Sequence, residues 1–536
     1  ERAMLAFLRR VLSRDEVRAG LISGTALGVA SPPSWLGPLA LVALVPVLWV
    51  FFAPSRIRAG RDVHLPALLL SFGLTHHTIE LHWLLLLGDA SPLTFKWAMP
   101  LLLSLLVLYS MIPDLVVFWL LKRIRWRIGA QAVWWFPGVW IVAEWVRGLG
   151  EMGFPWLTLG STQLRLLPVV QIAGVLGELG VSLFVAWVNV LVVLTVMGIR
   201  GEFPGLGRAW LSRWWAPATL TLLLGGTLGY GLFTMRALER EGDERDPLRV
   251  AAVQADVDLF DKWDPAKRDS TFVPYTRMTR AAAEQGARLV VWAETAIPFD
   301  LPRRPIYDRR VRQLARESEI YVYTGYVERR VDEDGHLDSF NSSIMIDDEG
   351  AIRARYRKVH LLPLGERMPF QDLIPALGDV DFGQAEWTPG TEHTVFQVDD
   401  HRFTSLICFE SIFSRLAREG VRNGAGFLVN ITNDGWFGDT VLPHQHAWMA
   451  VMRAAENRVP LVRVANNGVS FVARPTGQVV DKTGLFEREL IVAEVTPRPG
   501  GSFYTRHGDR PLLVMIVLGF LFLIVVGRVS IGSGRG

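Results

Sequence analysis

A single cysteine, Cys408, in 536 residues excludes any intramolecular disulfide. Charge of one sign is missing too: 56 Lys and Arg stand against 53 Asp and Glu, for a formal net charge of +3. That balance leaves no basic stripe for nucleic acid, and no nucleic-acid partner is expected. Charged residues are scarce overall, at 20% of the chain. The N-terminal apolar segment lacks a small-residue cleavage site ahead of a hydrophilic mature domain, so it does not read as a signal peptide.

Apolar residues take the place of charge. Half the chain is hydrophobic, with 20 Trp, 28 Phe and a mean hydropathy of +0.25, too apolar for a soluble enzyme of this length. The excess is uneven. Residues 1–235 carry long apolar runs, 248–500 read as an ordinary soluble domain, and 511–527 are apolar again. A membrane crossing needs about 20 mostly apolar residues, which gives about eight candidate spans. They lie near 17–34, 37–53, 64–87, 97–121, 131–147, 167–198, 216–235 and 511–528. The first ends in Pro32-Pro33 and has a re-entrant or interfacial segment as its alternative. The expected division is a helical transmembrane bundle over 1–239, a soluble domain over 240–505, and a C-terminal span with a short tail over 506–536.

Basic clusters orient the bundle. They precede the first span (Arg9, Arg10, Arg14, Arg18) and follow the second (Arg56, Arg58, Arg61), the fourth (Lys122, Arg123, Arg125, Arg127) and the sixth (Arg200, Arg208, Arg213). The alternate loops are nearly free of Lys and Arg. The positive-inside rule then puts both termini in the cytoplasm and the 240–505 domain outside. A free thiol kept in a potentially oxidising compartment hints that its chemistry is wanted.

Several polar residues sit at membrane depth: His76, His77, Glu80 and His82 in the third segment, Glu144 and Arg147 at the end of the fifth. Glu144 and Arg147 are three apart on one helical face, so an ion pair near the outer surface is expected. The apolar loop Gly153-Phe154-Pro155-Trp156-Leu157 reads as a segment lying in the interface. The histidine spacing matches no standard ligand set, so cavity-lining or interfacial roles are expected and no metal.

In the outer domain, β-prone stretches alternate with amphipathic ones, which predicts a layered α/β fold with a sheet buried by helices. The strands include 248–254, 288–294, 320–325 and 341–346; the helices include 265–287 and 307–318. A turn is expected at 332–335. Three chemically distinct residues fall at strand ends: Glu294, Lys358 and Cys408. Cys408 ends the short apolar run Ser405-Leu406-Ile407 just before a helix-like stretch, where a rigid element aims the sulfur and backbone N–H groups face it. Each has a plain alternative: a small buried hydrophobe, a capping carboxylate, a solvated lysine. Together they form a base, a cationic oxyanion partner and a soft nucleophile.

These segments resemble the nitrilase superfamily, with its Glu-Lys-Cys triad and αββα sandwich. The likeness rests on Trp292–Pro298 around the glutamate, on Tyr356–Leu361 with Pro363–Glu366 around the lysine, and on Cys408-Phe409-Glu410. It extends to Asn433–Gly438, Arg453–Arg458 and Arg463–Gly468. With a multi-span bundle, and with Glu144–Gly148 and Gly153–Trp156, the whole chain resembles the apolipoprotein N-acyltransferase family of the bacterial inner membrane. Phe409 departs from that pattern, since many relatives carry Tyr there. The departure puts a hydroxyl role in doubt but leaves a backbone N–H role intact.

The resemblance implies two half-reactions at one thiol and no cofactor. A phospholipid, phosphatidylethanolamine, acylates Cys408; the α-amine of a diacylglyceryl apolipoprotein then takes the acyl chain. Glu294 is implied as base, Lys358 and the Phe409 N–H as oxyanion donors, Glu366 as orienting Lys358 or Glu294, and Glu410 as supporting the nucleophile turn. The apolar stretch 368–377 is a candidate lid, with a partly buried surface loop as the alternative. Trp436, Phe370, Leu373, Glu144, Arg147 and Trp156 are candidates for a substrate channel, and a monomer is expected. Two rivals remain. A membrane-tethered amidase or nitrilase needs only one or two spans. A transporter or receptor with a degenerate outer domain needs none of Glu294, Lys358 and Cys408.

Overall fold

A computed structural model describes residues 14–89, 99–202, 209–331, 335, 337–379 and 386–532. Arg9, Arg10 and Arg208 of the basic loops lie outside the described residues, as does the turn expected at 332–335 apart from Gly335.

Up to Asp243 the described chain is helical, with helices Asp15–Ala30, Val45–Phe52, Leu65–Leu81, Met99–Ile128, Phe136–Arg147, Ala173–Ile199 and Ala209–Asp243. Among the described residues, four stretches are long and apolar enough to cross a membrane: Gly37–Arg58, Met99–Arg147, Ala173–Ile199 and Trp214–Asp243. The 49 residues of Met99–Arg147 would span about 74 Å as one helix at 1.5 Å per residue. Instead the chain turns at Gly129, whose φ of +62° suits a residue without Cβ, and folds back so that Phe118 packs on Trp140. Helices Asp15–Ala30 and Leu65–Leu81 have 16 and 17 residues, short of the about 20 a crossing needs. The expectation of about eight spans is therefore met only in part, because hydropathy registers apolar length and not where a helix stops. Outward-facing Leu101, Leu105, Ile112, Leu222 and Phe233 remain exposed, and only 11% of the apolar window of Trp214–Asp243 is buried. A face of that kind suits hydrocarbon better than water.

Helix Ala173–Ile199 is the hub of the bundle. Asn189 in it donates to the Ala40 carbonyl at 2.8 Å and accepts from the Leu44 N–H at 2.9 Å, which ties down the broken helical stretch after Gly37. A buried amide is satisfied this way in an apolar surround, where an unpaired polar group is costly.

From Leu248 the chain builds two six-stranded sheets. Strands β1 Leu248–Gln254, β2 Leu289–Trp292, β3 Tyr321–Val331, β4 Leu337–Ile346 and β5 Ile352–Arg357 form the first sheet together with β12 Glu489–Val495, in the order β12-β1-β2-β3-β4-β5. The second sheet runs β11-β10-β9-β8-β7-β6, from β6 Val395–Val398, β7 His401–Ile407, β8 Phe427–Thr432, β9 Leu461–Ala465, β10 Phe471–Ala473 and β11 Val479–Lys482. Strands β1, β2 and β3 are parallel, as are β7, β8 and β9. The two sheets face each other across a buried apolar layer that includes Leu289, Val291, Tyr323, Phe403, Ile431 and Val464. Helices Arg268–Glu284 and Pro305–Glu317 cover the outer face of the first sheet.

The helices on the second sheet, Ser414–Arg422 and Leu442–Asn457, turn their apolar faces away from water. They lie between that sheet and the membrane helices, within one apolar cluster that runs from Leu27 and Phe118 through Val185 to Phe409, Leu416 and Ala450. Arg453, fully buried, pairs there with Glu178 of the hub helix and lies 3.1 Å from Glu456. Glu456 in turn accepts the Glu178 N–H at 2.9 Å. A buried charge of this kind must be paired where it sits, so the network fixes the orientation of the sandwich on the bundle.

Candidate active site

The parallel strands β2 and β7 end at the same rim, where an open α/β sheet offers its crevice. Cys408 follows β7 as the first residue of a 3-10 turn, Cys408–Ile412, with a φ of +51°. A left-handed non-glycine residue costs roughly 1–3 kcal/mol and persists only where its surroundings over-determine it. Glu410, fully buried, supplies that determination. One carboxylate oxygen accepts the Ile407 N–H at 2.8 Å; the other accepts from Val359 N at 2.7 Å, His360 N at 3.1 Å and Tyr356 Oη at 2.8 Å. A single side chain thus ties the cysteine turn to the end of β5.

Lys358 stands just past β5, its backbone N–H donating to the Asn341 carbonyl at 2.9 Å, and its side chain is 1% exposed. Its ammonium lies 2.7 Å from Glu366 and 3.9 Å from Glu294. Glu366 is held in turn by the Leu362 N–H at 2.7 Å. Glu294 follows β2 just before Thr295, whose φ is +45°; a Cβ at Gly325 of β3 would come within 2.5 Å of the Thr295 nitrogen. Only glycine lets the neighbouring strand approach that closely.

Asn341 bridges the two carboxylates, donating to Glu294 at 2.7 Å and to Glu366 at 3.1 Å. Lys262, also buried, donates to the Glu294 carbonyl at 2.9 Å. Neither residue stands out in the sequence. Asn341 opens a strand-like run and Lys262 sits in a charged stretch, where both read as surface groups.

Electrostatics sort the three groups. Burial pushes the Cys408 thiol well above its ordinary value and the Glu294 charge adds to this, with the nearby ammonium of Lys358 working the other way. Burial also raises Glu294; Lys358 opposes the rise and Glu366 reinforces it. Burial works against the charge on Lys358, yet Glu366, the cysteine and Glu294 outweigh it and hold the ammonium protonated. The resting site is a neutral thiol beside a firmly cationic lysine and a carboxylate of raised basicity, a set suited to taking a proton from sulfur as it attacks.

A second group behind the cysteine was not singled out in the sequence. His446, on helix Leu442–Asn457, lies 3.1 Å from the Cys408 carbonyl through Nε2, while its Nδ1 lies 3.0 Å from Asp434 and 3.1 Å from the Arg463 guanidinium. Burial and Arg463 lower the His446 pKa, and the ring braces the carbonyl of the strained turn.

The loop 153–157 is not spread in a membrane interface. Trp156 is 5% exposed, stacks on Phe154 at 5.4 Å and donates to Gln445 at 3.2 Å. Phe154 faces Phe409 at 6.4 Å, so this loop forms an apolar wall against the nucleophile turn. Sequence showed its apolarity but not the domain that covers it. Nor do Glu144 and Arg147 form the expected ion pair. Glu144 accepts from the Trp140 indole at 3.0 Å and the Leu159 N–H at 2.9 Å, and Arg147 donates to the Trp156 carbonyl at 3.1 Å. Helical spacing brings two residues near each other, but at buried positions the neighbouring segments choose the partners. Both line a cavity in the bundle rather than the thiol site. Trp436 is half-buried in the 3-10 turn Asp434–Phe437. Phe370, Leu373 and Ile374 lie on the surface, with the Phe370 N–H donating to Glu151 at 2.8 Å.

A thiol, an ammonium and a carboxylate at the rim of a two-sheet sandwich define the class: a cysteine-dependent enzyme of carbon–nitrogen hydrolase type, carried on apolar helices. Residues 249–501 match the carbon-nitrogen hydrolase family model, and residues 23–191 match the apolipoprotein N-acyltransferase N-terminal domain. The apolipoprotein N-acyltransferase of Geobacter metallireducens is 34% identical over 93% of this chain and 92% of its own. That of Chlorobaculum tepidum is 30% identical, over 95% of this chain and 96% of its own. Among solved structures, an amidase from Nesterenkonia sp. AN1 aligns at 18% identity with a TM-score of 0.38, covering 49% of this chain and 95% of that one. The chain belongs to the apolipoprotein N-acyltransferase family.

Proposed function

We propose that this enzyme moves a fatty acyl chain from phosphatidylethanolamine, through a thioester on Cys408, to the N-terminal amine of a diacylglyceryl-cysteine apolipoprotein. The observation that carries the reading is the meeting of Glu294, Lys358 and Cys408 at a rim whose other wall, Phe154 and Trp156, comes from the membrane part of the chain.

In the first half-reaction the Cys408 sulfur attacks the ester carbonyl while its proton passes to Glu294. The C–O bond then breaks and the lysophospholipid alkoxide leaves with that proton. In the second half-reaction the deprotonated α-amine attacks the thioester, Glu294 takes the excess proton from the attacking nitrogen and passes it to the departing sulfur, and the amide forms as the neutral thiol and the Glu294 carboxylate are restored. Both tetrahedral oxyanions are stabilised by Lys358 and the Phe409 N–H. Glu366 and Asn341 position Lys358 and Glu294; Glu410 and His446 position the nucleophile turn. A thioester retains enough free energy to drive amide formation, and the apolar wall keeps water from it. The test is intact mass of the enzyme purified from membranes: a fatty-acyl adduct on Cys408 that disappears on adding a diacylglyceryl peptide. Release of free fatty acid or ammonia in place of an acylated peptide would favour an amidase instead.

The proposed setting is the bacterial inner membrane, with eight crossings, both termini cytoplasmic, the 240–505 domain periplasmic and the protein a monomer. In a Cys408→Ser background, a cysteine at exposed Glu349 is expected to react with an impermeant thiol reagent in intact cells, and one at exposed Arg58 only after permeabilisation. Labelling of Arg58→Cys from outside would reverse the orientation.

Residues 368–377 are proposed as a lid that meets the bilayer. Leu373 is 78% exposed, alongside Ile374 and Phe370. Replacing Phe370, Leu373 and Ile374 together by Ser is expected to impair acylation from phospholipid vesicles far more than from a short water-soluble ester. Equal loss with both donors would assign these residues a folding role.

A further inference from the structure

Outside the thiol site, the helical bundle buries a second cluster of reactive side chains that the acyl transfer does not use. We propose that His76, His77 and Glu80 bind a divalent first-row cation of the zinc type, with Asp114 orienting His77. All three ligands project from helix Leu65–Leu81, and all three are buried. Asp114 comes from helix Met99–Ile128.

The hydrogen bonding shows what is missing. Nε2 of His77 lies 3.0 Å from Asp114, and Nδ1 lies 3.3 Å from Glu80 Oε2. With its proton held on Nε2 by Asp114, His77 turns the Nδ1 lone pair onto a carboxylate oxygen. That contact is repulsive unless His77 carries a second proton or a cation lies between the two. A second proton on His77 would relieve it, but would do nothing for His76. The Nε2 of His76 is 3.9 Å from Glu80 Oε1, beyond hydrogen-bond distance, and its Nδ1 is buried with no partner among the described residues. A buried imidazole nitrogen without a partner is costly. A metal ion held by His77 Nδ1, His76 Nε2 and Glu80 would replace the lone-pair contact and give His76 Nε2 a partner, while His76 Nδ1 stays without one.

Dimensions agree. Bonds of 2.0–2.1 Å to a tetrahedral Zn²⁺ put its ligand atoms about 3.4 Å apart. His77 Nδ1 stands 3.3 Å from Glu80 Oε2 and His76 Nε2 stands 3.9 Å from the other oxygen, Oε1, so Glu80 must turn one oxygen toward both as ligand atoms now within 4.8 Å of one another draw in. His76, His77 and Asp114 line a cavity of about 20 Å³ to a water-sized sphere, room for one water on the histidine side of the cluster. Asp114 completes the carboxylate–histidine–metal arrangement that fixes the tautomer of a ligating imidazole. Arg147 lines the same cavity but directs its guanidinium to the Trp156 carbonyl at 3.1 Å. No sequence spacing announces the site, because the orienting carboxylate sits on another helix.

The position assigns the ion a task. The Glu80 carbonyl accepts from Gln445 at 3.2 Å, and Gln445 accepts the Trp156 indole N–H. Gln445 precedes His446 on helix Leu442–Asn457, so a metal at Glu80 would rivet the bundle to the helix that holds the nucleophile turn.

The test uses untagged, full-length protein in detergent, in a Cys408→Ala background that removes the sulfur beside Asp434 and His446. After chelation, metal analysis at saturating Zn²⁺ is expected to find one equivalent per chain. Co²⁺ is expected to give the intense visible bands of a tetrahedral site. His76→Asn and Glu80→Gln should each lose the equivalent, and Asp114→Asn should keep it with affinity about 10–100-fold weaker. A monodisperse parent protein that binds no stoichiometric Zn²⁺ overturns the proposal without recourse to any variant. So does an equivalent that survives in the His76→Asn, Glu80→Gln double variant, or a weak octahedral Co²⁺ spectrum. Because binding is read directly, a failure here leaves the acyl-transfer reading standing.

Discussion

Cys408→Ala is expected to yield a folded, membrane-inserted protein that carries no acyl adduct and transfers no acyl chain. Losing the nucleophile of a catalytic set costs on the order of 10⁶-fold in turnover. The fold should survive, because the swap removes a single sulfur atom and the left-handed backbone strains alanine about as much as cysteine. The bonds that hold the turn come from Glu410 and His446, and alanine leaves them intact. Cys408→Ser tests the chemistry more sharply. Its hydroxyl occupies nearly the same space, but Glu294 is far too weak a base to ionise an alcohol, so serine should be nearly as inactive as alanine. The measurement is mass-detected acyl-enzyme after mixing with phospholipid, beside a thermal melt in detergent. Full transfer by Cys408→Ala would end the covalent mechanism.

Glu294→Gln and Lys358→Met are expected to separate base from oxyanion donor. Loss of a general base costs about 10²–10⁴-fold. Glu294→Gln should therefore slow acyl-enzyme formation by that order and flatten the acid limb of its pH profile. That limb belongs to Glu294, which burial shifts above the ordinary carboxylate range, so wild-type acylation should rise with pH at values higher than an exposed glutamate would give. Lys358→Met removes an oxyanion donor, worth about 10²–10³-fold in each half-reaction. It also leaves the buried Glu294 and Glu366 carboxylates without the cation between them. Their repulsion raises the Glu294 pKa further, so the acid limb should move to still higher pH in this variant. Stability should fall by about 3–5 kcal/mol, the cost of breaking a buried pair from one side. Normal acylation in either variant would remove that residue from its assigned role.

Glu294, Lys358 and Cys408 were legible because each ends a β-prone run, and strand ends in an α/β sandwich converge on one rim. Glu366 and Glu410 were named only through the family resemblance that their segments carry. Asn341, Lys262 and His446 were not. Each acts through a contact 32 to 47 positions away in the chain, and nothing local marks which buried polar residue will turn toward the site.

By itself the sequence determined the apolar segments, the division into bundle and sandwich, and the residue types at the strand ends. These are local properties, set by hydropathy, by strand propensity and by which residue stands where a strand stops. Only the tertiary structure decided partners. Glu144 and Arg147 sit at ion-pair spacing and yet bond to Trp140, Leu159 and Trp156 instead. The loop through Trp156 reads as interfacial and is instead buried against Phe409. Three ligands of one helix become a candidate metal centre only when Asp114 arrives from another. In a low-dielectric interior every polar group must find a partner, and which partner lies within about 3 Å is a property of packing that no local run of residues carries.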